Sequence, residues 1–255
     1  MLINPISFRA LLYREIIRFL KVVQQTILSP VVSSLLYIAI FGVTLGSHIN
    51  NINGIPYLLF VIPGIAVMDV IMSSYSNTSS SLFLSRYLHL IDNLLITPIS
   101  YTELVLSYII GGVIRGVLVG GLILLVGSLF TKIVIAHVFF FIIFIILICV
   151  IFAGLGLLTG LISDEFEHLS VFSTYFITPL TFFGGVFYSI KSLPQIMYVI
   201  TSCNPFFYII DGFRWSILGY SEGNIGFSVI LCVALAIILT LGNIYLFKKG
   251  YKLKQ

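Results

Sequence analysis

The sequence predicts an all-α integral membrane protein with six transmembrane helices, an N-terminal amphipathic interface helix, and a re-entrant or interfacial helical hairpin between the fifth and sixth spans. Three observations predict this. Hydrophobic residues make up 59% of the 255 residues and charged residues only 9%, where a soluble domain carries about 25% charged. Mean hydropathy is +1.15. The apolar residues gather into runs of about 20, the length a hydrocarbon core demands, and one long apolar stretch in the C-terminal half is broken by proline and glycine.

The first element covers residues 5–24. Phe8, Leu11, Leu12, Ile16, Phe19, Leu20 and Val23 recur at helical spacing on one face, with Arg14, Arg18 and Lys21 opposite. A basic amphipathic helix of this kind lies in the headgroup plane; the alternative is a soluble helix packed on a partner. Six apolar spans follow near 26–46, 57–77, 104–129, 134–162, 169–189 and 225–247. They form one domain over 1–255, with no linker and no internal repeat. The first apolar run comes after a basic segment and is not followed by a small-residue cleavage site, so the first helix is expected to stay in the mature protein.

Lysine and arginine set the orientation. With both termini cytoplasmic, the inner side holds nine basic residues and the outer side three, Lys132, Lys191 and Arg214. The positive-inside rule favours that arrangement. In the third span Gly112, Gly116 and Gly120 form a small-residue face for close helix packing, within the subunit or across a dimer. In the fourth, Gly154, Gly156 and Gly160 make a bend easy.

Residues 176–214 hold Pro179, Gly184, Gly185, Pro194 and Pro205, which a single straight membrane helix does not accommodate. The expected course is a helix that breaks near Gly184–Gly185 and restarts twice. The second restart has Asn204 as N-cap, Pro205 at the first helical position and Gly219 as stop. Residues 190–219 would then form a lid, and broken backbone at membrane depth marks a translocation path.

Two charges lie inside spans, Asp69 and Arg115. Each sits roughly 12 residues from a span end, so their backbones differ in height by about 6 Å in a core about 30 Å thick. An intramembrane ion pair is expected. The alternatives are that Arg115 meets backbone carbonyls, or that Asp69 lines a wet cavity. Tyr37, Phe41, Ser73, Ser74, Tyr75 and Tyr175 could line an amphipathic route.

Catalytic and metal chemistry are not indicated. Cys149, Cys203 and Cys232 are widely spaced in apolar surroundings. Asp164, Glu165, Glu167 and His168 form a short acidic turn without a nucleophile. Gly-x4-Gly-Lys-[Ser/Thr] is absent, so no phosphate-cradling loop of that type exists in the chain.

Phe182-Phe-Gly-Gly-Val-Phe-Tyr188, Leu193–Pro194, Asn204–Pro205, then Tyr208, Asp211, Gly212 and Arg214 resemble the signature of the ABC-2 family of membrane permeases. The resemblance extends over nearly the whole chain. It implies the ABC-2 or type V exporter architecture, in a bacterial inner (plasma) membrane. It also implies two copies of a cytosolic ABC ATPase carrying ATP and Mg, so that this chain is no enzyme and holds no cofactor. A second copy of the chain and membrane lipids are the other implied partners, and nucleic acid is not one. The segment Arg86, Tyr87, Leu90, Ile91, Asp92, Asn93 would correspond to a coupling helix ending before Thr97–Pro98, with Asp164 and Glu165 as a second ATPase contact. Asp211 and Arg214 would bind one another in the lid. The implied cargo is a drug, lipid or lipid-linked saccharide. A secondary transporter or channel is the alternative.

Overall fold

The computed structural model describes residues 5–45, 51–91, 94, 97 and 99–252. It is an all-α bundle. Helix α1 (Pro5–Leu20) leads through a π-helical turn (Gln24–Leu28) into α2 (Ser29–Tyr37), which continues as a second π-helical stretch (Ile38–Leu45). After a small hairpin come α3 (Tyr57–Tyr87), α4 (Tyr101–Ser128) and α5 (Val138–Ile162). The fifth apolar segment is kinked: α6 (Phe166–Phe172), a π turn (Ser173–Ile177), then α7 (Thr178–Phe182). Helices α8 (Gln195–Cys203), α9 (Pro205–Leu218) and α10 (Ile225–Lys249) complete the chain. Among the described residues, five helical segments are long and apolar enough to cross a membrane, or six if the bent pair α8–α9 counts as one.

Most boundaries follow from local chemistry. Two of the π turns immediately precede helices with proline in the first turn, Pro30 in α2 and Pro179 in α7. Proline offers no N–H to the carbonyl four residues back, so the regular ladder cannot run through. A capping box starts α4: Ser100 Oγ accepts from the Glu103 N–H at 3.2 Å and Glu103 accepts from the Ser100 N–H at 3.1 Å. Asn204 caps α9, its Oδ1 accepting from Phe206 N–H at 3.0 Å while its Nδ2 donates to the Leu180 carbonyl at 2.7 Å. Gly219 ends that helix at φ 71°. The axes of α8 and α9 differ by 84°.

The hairpin pairs Asn51–Ile52 with Ile55–Pro56. Its turn is Asn53–Gly54, with φ of 50° and 86°. Both central residues sit at positive φ, the requirement that makes Asn-Gly favoured in two-residue hairpin loops.

Helix α3 is the axis of the bundle, buried along most of its length between α4 and α5. The glycine faces make this close approach possible. A Cβ on Gly116 would lie 2.2 Å from Ser74 Oγ and 2.7 Å from Cys149 Sγ. One on Gly156 would lie 2.4 Å from the Tyr75 carbonyl oxygen. The third-span face therefore packs within the subunit. The fourth-span glycines serve packing too, and α5 runs as one continuous helix. One apolar core, including Phe60, Ile65, Phe144 and Phe213, occupies the middle and the hairpin end. A second, including Leu11, Leu82, Tyr108 and Phe247, fills the end that carries α1.

Candidate functional site

A cavity of about 400 Å³ opens between the first span, α3 and the kinked fifth segment. Pro30, Met68, Met72 and Phe182 provide apolar wall, and Tyr37, Ser73 and Thr181 add polar edges. Asp69 and Arg115 both face it. The expected ion pair between them is not made. Asp69 accepts a hydrogen bond from Ser34 on α2. Arg115 donates through Nε to the Thr26 carbonyl at 3.3 Å. That carbonyl lacks its α-helical donor because residue 30 is proline, so the break in the first span creates the acceptor that Arg115 uses.

The residues expected along a route divide. Tyr37 and Ser73 line the cavity. Phe41 stands in an aromatic group with Tyr37 and Phe187, its ring 4.7 Å from that of Phe187. Tyr75 is instead an anchor, 1% exposed, with its hydroxyl donating to the Leu169 carbonyl at 3.1 Å. Ser74 is buried and meets the glycine face of α4. Tyr175 is 71% exposed on the outside of the kinked segment.

At the hairpin end Asp211 and Arg214 do not bind one another. Asp211 is fully buried and accepts from Ser221 Oγ and from the N–H groups of Glu222 and Gly223, at 2.7 to 3.0 Å. Arg214 is equally buried and spends its hydrogen bonds elsewhere. It donates to the carbonyls of Phe60 (3.2 Å), Gly185 (2.7 Å) and Val186 (3.3 Å). Gly184 and Gly185 form the turn after α7, Gly185 at φ 80°. Pro194 precedes α8 and Pro205 opens α9. Above them lies a clasp that sequence reasoning missed. Glu222 accepts from the Ile190 N–H (2.9 Å), the Tyr220 hydroxyl (3.2 Å), Asn53 Nδ2 (3.3 Å) and Ser189. It joins the hairpin to two later loops. Burial and the neighbouring Glu222 carboxylate push the Tyr220 phenol up to about 12.

At the other end Arg86 turns inward and is 4% exposed, donating to the carbonyls of Gly160 and Ser163 at 3.0 and 2.9 Å. Ile91 is buried as well. Neither is on the surface expected of a partner contact. Tyr87, Leu90, Asp164 and Glu165 are exposed. A cleft of about 570 Å³ joins Phe83, Leu84 and Tyr87 of α3 to Asp164, Glu165 and Phe166. Asp92, Asn93 and Pro98 lie outside the described residues. The Asp164 carboxylate takes both oxygens to Lys252 Nζ, at 2.8 and 3.0 Å, and this hydrogen-bonded pair holds it below the usual carboxylate range.

Helix α1 brings a charge into the bundle that its amphipathic pattern did not foretell. The inward seam is Leu11, Glu15 and Phe19, and Glu15 is 0% exposed. Glu15 meets Arg14 at 3.1 Å, Arg18 at 3.4 Å and Ser81 Oγ at 2.6 Å. Arg18 continues to Asn77, and Arg14 to the Tyr108 hydroxyl. The two arginines assigned to the headgroup face thus serve a network between α1, α3 and α4. The signal was a lone acid between Leu11 and Phe19 at four-residue spacing.

The ABC-2 type transporter family model matches residues 6–218. The chain belongs to that family. It is similar to the inner membrane transport permease YadH of Escherichia coli (strain K12), 35% identical over 217 residues, 85% of each chain. It is also similar to nodulation protein J of Sinorhizobium fredii, 22% identical over 232 residues, 90% of this chain and 88% of that protein. As an ABC-2 family member with this set of apolar helices, the chain is a multi-pass membrane protein and a membrane transporter subunit.

Proposed function

We propose that this ABC-2 chain is the permease subunit of an ATP-driven exporter in a bacterial inner membrane, moved by a separate ATPase and carrying an amphipathic cargo. The observation that carries the reading is the cavity beside α3, part apolar and part charged, bounded by two helical segments broken at Pro30 and Pro179. Broken helices beside a polar cavity are where a membrane protein can change shape without exposing backbone to lipid. The family's relatives named as a transport permease support the same reading.

In this proposal both termini are cytoplasmic and the ATPase docks at the end carrying α1. Tyr87, Leu90, Asp164 and Glu165 would contact it directly, with Asp92 and Asn93 in the same segment. Arg86 and Ile91 would position that segment from inside. Two copies of the chain and two ATPase chains would form the working unit, since a closed pair about a two-fold axis is the simplest assembly. The lid, with Gly184, Gly185, Pro194, Asn204, Pro205, Asp211 and Arg214, would sit over the exit.

A secondary transporter is favoured by one observation, an intramembrane carboxylate and guanidinium facing a cavity without pairing. Purification of the full chain from its native membrane decides between them. An ABC ATPase that co-purifies, with ATP-dependent transport in vesicles, is the expected result. Solute movement by the chain alone, driven by an ion gradient, would overturn it.

A further inference from the structure

We propose that the cavity beside α3 selects a zwitterionic amphiphile, with Asp69 taking its cationic group and Arg115 its anionic group. The proposal rests on the transport reading above and names the class of cargo.

Two opposite charges face one cavity and leave most of their bonding capacity unused. A guanidinium presents five donors in a fixed fork. Arg115 spends only Nε within the protein, and its terminal nitrogens have no protein partner among the described residues. A carboxylate offers about four lone-pair sites, and among the described residues Asp69 accepts only from Ser34. Charges at membrane depth are costly unless paired or facing water. Here each is held by one bond from the first span, and neither reaches the other.

A ligand carrying both signs satisfies both groups at once. A singly charged amphiphile satisfies one and brings its charge towards the like-charged side chain, an arrangement that discriminates by repulsion as well as attraction. The rest of the wall suits an apolar body: Met68 and Met72 are unbranched and adaptable, and Pro30 and Phe182 add apolar surface. Thr26 ties the site to the conformational break, because the Pro30 interruption holds its carbonyl on Arg115. Straightening or shifting the first span would move that acceptor and alter the anionic subsite.

The test uses the full chain in nanodiscs and three fluorescent probes with the same tail: a lysophosphatidylcholine, an alkyl trimethylammonium and an alkyl phosphate, read by anisotropy. The zwitterion is expected to bind about tenfold more tightly than either singly charged probe. Asp69→Asn should reduce its affinity to that of the alkyl phosphate, and Arg115→Gln to that of the ammonium. Met72→Trp, which fills the cavity and leaves both charged side chains in the sequence, should weaken all three and covers the case in which a charge variant fails to fold. Equal binding of the three probes, absence of zwitterion binding, or an unchanged preference in folded variants would overturn the proposal. If an ATPase co-purifies and only singly charged amphiphiles stimulate its hydrolysis, the selectivity is wrong and the exporter reading survives. If no ATPase is found but the zwitterion preference holds, the reverse follows.

Discussion

Ser81 of α3 donates a 2.6 Å hydrogen bond to Glu15 of α1, a carboxylate with no solvent exposure. This contact turns a surface helix into part of the bundle. The seam of Leu11, Glu15 and Phe19 packs α1 on α4, and Glu15 reaches from it to α3.

Removing that carboxylate leaves two arginines and a serine facing one another. Glu15→Ala should lower stability by about 3 kcal/mol. That is the low end for a broken buried pair, because the Arg14 and Arg18 side chains remain 37% and 29% exposed. Glu15→Gln keeps a partner for Ser81 and should cost less. Thermal unfolding of the purified chain measures both, and equal losses in the two variants would show that the Ser81 hydrogen bond adds nothing to the ion pairs with Arg14 and Arg18.

Arg214→Lys should behave as a severe change. The guanidinium reaches three carbonyls and lies 3.9 Å from the centre of the Phe60 ring. A lysine ammonium has neither the fork nor the flat face to reproduce this. We expect a loss of at least about 2 kcal/mol, within about 1 kcal/mol of Arg214→Ala. A melting temperature near that of the parent would show that one carbonyl contact suffices.

Close packing at Gly156 predicts a backbone-limited cost. An alanine methyl there meets the Tyr75 carbonyl oxygen at 2.4 Å, and a main-chain atom cannot rotate away. Gly156→Ala should destabilise by about 1–3 kcal/mol. Gly242→Ala, where a Cβ meets nothing within 4 Å, is the control and should be neutral or stabilising.

The Asp164–Lys252 pair gives a pH signature of known sign. Asp164 is held below its ordinary range, chiefly by the hydrogen bond from Lys252. Its contribution is therefore present above the unfolded carboxylate value and lost as pH falls through the lower folded value. The stability difference between the parent and Lys252→Met should be visible at neutral pH and shrink as pH falls below the ordinary carboxylate range. A difference that persists in acid would assign it to the Ile162 carbonyl contact instead.

Cys203 offers a topological test. It is exposed at the bend between α8 and α9, whereas Cys149 and Cys232 are buried. A membrane-impermeant maleimide added outside spheroplasts should label Cys203 alone. Labelling only after the membrane is opened would place the lid on the cytoplasmic side.

The sequence by itself determined that the chain lives in a bilayer, roughly where its helices run, and where the lid segment breaks. Apolar run length is a local quantity, and Pro179, Pro194, Asn204–Pro205 and Gly219 act on the backbone within one turn of themselves. The hairpin was legible too, in Asn53–Gly54, and was missed. Only the tertiary structure decided which charges are inside and what they touch. Glu15 left solvent because α1 packs on α4, not because of its neighbours in sequence. Asp69 and Arg115 parted because Ser34 and the Thr26 carbonyl came from a third helix. Arg86 and Arg214 turned inward to carbonyls freed by turns far along the chain. A charge is placed by the partners that compensate it, and those partners are set by long-range packing that no local pattern records.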